Sequence, residues 1–150
     1  MGGRVLARAA HLLEEAHDSE GFSQVVLAAP DIDSDVFTDQ DAAVLLKHSS
    51  GLTLYASARD RAIRLSATIH GGVRRAGDGT KPLVVLPRME TVDASEIDTD
   101  LIGHGYFAEN KAVIDDLFML IEHGFSAGQR NLREETQRRS YSVQRYYVLR

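Results

Sequence analysis

Apolar residues at Val5, Leu6, Ala9, Ala10, Leu12 and Leu13 recur three and four apart, the spacing of a helix with one buried face. A helix is therefore predicted almost from Met1, preceded only by Met-Gly-Gly rather than by a capping loop. "FSQVVLAAP" is a short continuous apolar run that ends at a proline and gives way to the polar "DIDSD", which predicts a strand buried on both faces. "DQDAAVLLKHS" predicts a short helix, "GLTLYAS" a second buried strand, and "ARDRAIRLSATIH" a helix stopped by Gly71 and Gly72. The turn-rich "GGVRRAGDGTKP" follows, then extended segments in "LVVLPRMETVDAS" around Pro87, a loop in "EIDTDLIGHGYF", and a helix in "NKAVIDDLFMLIEH" closed by Gly124. Strands alternating with helices imply βαβ units, and so an α/β fold with a mostly parallel sheet and helices on both faces.

Two parts are expected along the chain, a domain over residues 1–125 and a C-terminal extension over 126–150 packed on it. Composition agrees with a folded domain, because 150 residues with 43% hydrophobic content can bury a sizeable core. No apolar run approaches the ~20 residues of a membrane span, and the first residues lack the build of a signal peptide. With no cysteine there is neither a disulfide framework nor a thiol nucleophile, and the redox compartment stays open. The net charge of −5 is uneven: residues 126–150 carry six arginines (130, 133, 138, 139, 145, 150) against Glu134 and Glu135, so this part is +4 and the rest −9. That stretch lacks the glycine–aromatic interleaving of an RNA-binding strand, so no nucleic-acid partner is expected. It reads as a solvated helix followed by a terminal edge strand at "YYVLR".

In open parallel sheets ligands bind beyond the carboxyl ends of the strands, which directs attention to the residues after Ala29, Ser57 and Ser95. Asp31 and Asp33 follow the first of these, Asp60 the second, and His104 lies in the loop after the third. A histidine held by an aspartate is the base-and-orienter half of a hydrolytic triad: imidazole takes the nucleophile's proton while the carboxylate fixes its tautomer and stabilises imidazolium. A strand-end acid followed by a later histidine is the Ser, Asp, His chain order of α/β-hydrolases, so the serine is expected earlier, on a sharp strand-to-helix turn. Without further context, Asp60 reads equally as the residue opening the helix "RDRAIRLS", and His104, between Gly103 and Gly105, as a surface or capping histidine.

"MGGRVLARA" resembles the residues after the nucleophile in "His-Ser-Met-Gly-x-Arg-Val-Leu", a sequence of a bacterial α/β-hydrolase family of unknown function often labelled esterase/lipase superfamily enzymes. "VVLAAPDIDSDVF", "LTLYASARDRAIRLS", "HGGVRRAGD" and "ETVDASEIDTDLIGHGYF" are similar to the same family, over about residues 1–123. The resemblance implies the C-terminal part of an α/β-hydrolase fold acting on a small ester-like substrate by serine chemistry. Asp60 would be the acid and His104 the base, with Asp33 (or Asp31) the rival acid. The serine would immediately precede Met1, whose backbone amide would serve the oxyanion hole. The alternative is a non-catalytic remnant or a binding or assembly module. A half-sheet whose first strand lacks its neighbour presents unpaired backbone groups and invites self-association through that edge.

Three further motifs are expected to be decoys. An EF-hand loop counted from Asp31 needs Gly at its sixth place and Glu at its twelfth, where Val36 and Ala42 stand. His70-Gly71-Gly72 resembles the oxyanion glycines of lipases but follows the acid instead of preceding the nucleophile. "GFSAG" at Gly124–Gly128 matches G-x-S-x-G by letter, yet the residues before Ser126 have helical spacing. No His/carboxylate cluster has metal-ligand spacing and no phosphate loop follows a strand, so neither metal nor cofactor is expected.

Overall fold

The computed structural model describes residues 2–15, 21–97 and 110–150. Its elements follow the predicted alternation: α1 (Gly2–Glu15), β1 (Val25–Ala28), α2 (Ser34–Val36), a π-turn (Phe37–Asp41), α3 (Ala42–Lys47), β2 (Leu52–Ala56), α4 (Arg61–Ile69), β3 (Met89–Asp93) and α5 (Lys111–His123). A 3-10 turn (Ala127–Gln129), β4 (Arg133–Arg139) and β5 (Ser142–Val148) complete the chain. The second helical stretch begins at Ser34, earlier than the apolar pattern suggests, because Asp33 caps it and the π-turn carries the chain into α3.

The five strands lie in the order β1-β2-β3-β5-β4. β1, β2, β3 and β5 run parallel, with Val25 opposite Leu52, Leu52 opposite Met89 and Val92 opposite Tyr147. Alternation along the strands gives each face its own core. Val25, Leu27, Leu52, Leu54 and Met89 pack on one side with Ala10 of α1 and Ala42 and Leu45 of α3. Tyr55 and Val92 pack on the other with Ile63 of α4 and Val113 of α5. Every residue of β2 is buried, the polar Thr53 included, as a strand covered on both faces requires.

The extension differs from expectation. Residues 133–139 are a strand, not a helix, and form an antiparallel hairpin with β5 around Ser140, whose φ is +53°. β5, which contains the "YYV" of the terminal motif, lies between β3 and β4, so the edge of the sheet is β4. Period-two contacts decide the outcome. Arg133 pairs with Glu135 two residues on (3.0 Å), and Gln137 turns inward to accept from Leu83 N (2.7 Å) and donate to Leu83 O (2.9 Å). A charged edge strand of this kind resists further pairing.

The glycine-rich loop is also ordered more tightly than its composition suggests. Residues 74–80 form a strap across the carboxyl ends of β1 and β2: Ser34 N donates to Arg74 O (2.9 Å), Ala76 N to Ile32 O (2.8 Å), Gly77 N to Pro30 O (3.0 Å) and Ser57 N to Gly77 O (3.1 Å). The approach demands glycine. A Cβ on Gly77 would lie 2.4 Å from the carbonyl carbon of Ala29, and one on Gly79 would lie 2.3 Å from the nitrogen of Ala58.

Candidate active site

The carboxyl edge of the sheet gathers the strand-end acids that the sequence singled out. Asp60 follows β2 and is 2% exposed. Its Oδ1 accepts from Ala62 N (2.9 Å) and Ile63 N (3.1 Å), so it caps α4 and the helix in turn fixes its carboxylate. The turn that delivers it is held by Ser95, after β3, whose hydroxyl accepts from Ala58 N (2.8 Å), and by Ser57, whose hydroxyl accepts from Arg59 N (3.2 Å). Both readings made of Asp60, helix opener and strand-end acid, thus fall on one side chain.

The rival acids are committed to other partners. Asp33 Oδ1 accepts from Asp35 N (2.9 Å) and Val36 N (3.2 Å) as the cap of α2. Asp31 accepts from the Ser66 hydroxyl (2.7 Å) and pairs with Arg75 Nε (3.0 Å), a residue only 2% exposed. Burial pushes the Asp31 carboxyl up, but the Ser66 hydrogen bond and the charges of Arg75, Arg4 and His70 outweigh it and hold Asp31 below the usual carboxylate range. Asp31 and Asp33 thus face different partners. His104 and Met1 lie outside the described residues.

The start of α1 lies at the same edge. A Cβ on Gly3 would be 3.1 Å from the Pro30 side chain, and Arg4 Nε donates to the Asp31 carbonyl (3.1 Å). Between the first turns of α1 and β1 runs a groove of about 430 Å³ lined by Gly2, Gly3, Leu6 and residues 26–31. Among the described residues, β1 pairs with β2 alone. Ser126 sits elsewhere. It follows α5, whose closing residue Gly124 is left-handed (φ +64°), and it opens the 3-10 turn with its amide donating to Gln129 Oε1 (3.0 Å).

On the far face of the sheet is a polar cluster that sequence reasoning missed. Arg130, with no side-chain exposure, donates to Asp116 Oδ2 (2.9 Å), Tyr55 Oη (3.1 Å) and Glu90 Oε2 (2.7 Å), and the Tyr55 hydroxyl donates to Asp116. Burial, reinforced by Asp116, raises the Tyr55 phenol, so it stays a donor. Burial also raises the Asp116 carboxyl, against the opposing pull of Tyr55 and Arg130. The only sequence signal was an arginine among five others in a basic tail.

A mostly parallel sheet covered on both faces, with acids at its strand ends, defines an α/β protein of the strand-end-site class. Residues 1–122 match the family described as "Alpha/beta hydrolase of unknown function (DUF900)", and the chain belongs to that family. Comparisons with curated proteins and with solved structures each returned no match. Among the described residues no helix is long and apolar enough to cross a membrane.

Proposed function

We propose that this α/β-hydrolase domain carries the acid–base half of a serine esterase, with Asp60 as the acid, His104 as the base and the serine supplied by sequence preceding Met1. The observation that carries this reading is Asp60 itself, a buried carboxylate held by two amides at the carboxyl end of β2. His104 takes the serine proton as Oγ attacks the ester carbonyl, and returns it to the departing alcohol. Water then attacks the acyl-serine with His104 again as base. Asp60 orients the imidazole and stabilises its cation, and the Met1 amide donates to the oxyanion. The groove along β1 supports the same reading, since a preceding strand laid there would run into the start of α1.

The test is hydrolysis of a short activated ester by the chain extended upstream, compared with residues 1–150. Turnover is expected only in the extended protein, nearly abolished by His104→Ala and strongly reduced by Asp60→Asn. Fluorophosphonate labelling of residues 1–150 with turnover lost in His104→Ala would overturn the upstream serine. An unimpaired Asp60→Asn beside an inactive Asp33→Asn would move the acid to Asp33. A second reading, a non-catalytic assembly module, is favoured by the apolar, uncharged β1 edge. It predicts a concentration-dependent dimer and no ester turnover in either form.

A further inference from the structure

The β4–β5 hairpin ends in a turn whose side chains serve neither the core nor the candidate site. β5 joins β3 at Tyr147 and Val148, and Gln144 Nε2 still donates to Val85 O (3.2 Å). Farther out, Arg138 pairs across the ribbon with Val143 and Arg139 with Ser142, whose hydroxyl donates to Arg139 O (3.0 Å) and closes the turn. Tyr141 at the turn is fully exposed and Val143 is 67% exposed, so the tip offers an aromatic ring and a branched apolar side chain to its surroundings. The charge here is one-sided. Residues 133–145 hold four arginines and two glutamates, and both glutamates are met within the hairpin, Glu135 by Arg133 (3.0 Å) and Glu134 by Arg145 (3.1 Å). Glu96, a further acid at the hairpin, lies at its other end against Arg133 and Arg150. Arg138 and Arg139 are exposed and have no ion pair among the described residues, and from Thr136 to Arg145 the sequence contains no acid.

We propose that this tip docks on an anionic membrane surface, with Arg138 and Arg139 against lipid phosphates and Tyr141 and Val143 in the interfacial layer above the acyl chains. That layer accepts guanidinium, aromatic and short apolar groups together. A nucleic-acid backbone would satisfy the arginines but set Val143 against phosphate. Charge polarity orients the encounter, because residues 126–150 are +4 and the rest −9, so a negative surface attracts this end and repels the other. The proposal is independent of the hydrolase reading, and its test measures no turnover. The full chain is sedimented with vesicles of phosphatidylcholine alone or of equal parts phosphatidylcholine and phosphatidylglycerol. Binding to the mixed vesicles at least ~10-fold above that to phosphatidylcholine is expected, falling at least ~10-fold in Arg138→Gln/Arg139→Gln. Arg61→Gln/Arg64→Gln, which removes the same charge from exposed positions of α4, should keep binding within ~2-fold. Because the chain has no tryptophan, Tyr141→Trp supplies a single reporter whose emission should move to shorter wavelength on the mixed vesicles. No preference for the mixed vesicles, unchanged binding by the hairpin double variant, an equal loss in the α4 variant, or an unshifted emission would each overturn the proposal. Capture by an RNA oligonucleotide or by polyglutamate without binding to the mixed vesicles would give the tip another partner and overturn it as well.

Discussion

Arg130 brings a full charge to a position without side-chain exposure, and the partner that matters most, Asp116, is itself only 3% exposed. Such a pair adds little net stability over an apolar substitute, but removing one member strands the other. Arg130→Met should therefore lower unfolding stability by ~3 kcal/mol or more in urea titration, because Asp116 keeps its burial and loses its counter-charge. Asp116→Asn, which still accepts from Tyr55, should relieve part of that loss, so the double variant should cost less than the sum of the single ones. Additive effects would show that the two side chains are not coupled. Asp60 illustrates the other outcome at this scale, since capping a helix and presenting an oriented carboxylate require the same geometry.

At the level of elements, the helices and buried strands were legible because burial shapes their patterns: β2 is buried throughout and mostly apolar, and α5 repeats Val113, Leu117 and Leu120 on its packed side. β4 was not, because "REETQRR" has no apolar periodicity and becomes a strand only when Gln137 finds the Leu83 backbone and β5 finds β3. The strap was likewise hidden, since glycine, arginine and aspartate read as a turn whether they face water or another backbone. Of the candidate site, Asp60 and Asp33 were legible as strand-end acids, while the commitment of Asp31 to Ser66 and Arg75 depends on contacts that only the fold creates. The strap yields a sharp contrast between two glycines. Gly77→Ala forces a methyl against the Ala29 backbone and should cost roughly 1–3 kcal/mol, read as a fall in Tm of several degrees. Gly2→Ala, with nothing within 4 Å, should leave Tm unchanged or slightly raised. Equal Tm values for wild type and Gly77→Ala would mean that the strap does not hold its place.

For the molecule as a whole, residues 1–122 match the hydrolase family while β4, β5 and Arg130 come from beyond that match, yet they complete the sheet and the buried charge network. A chain ending at His123 would expose the edge of β3 and leave Asp116 and Glu90 without their cation. It should lose the cooperative thermal transition of the full chain by circular dichroism, and an unchanged transition would make the hairpin an appendage. The same dependence reaches into descent. A lineage that discards this hairpin leaves Asp116 buried without its counter-charge, so an acid at that position and an arginine downstream should be inherited as one trait, with the end of the family match falling inside a unit that evolves jointly.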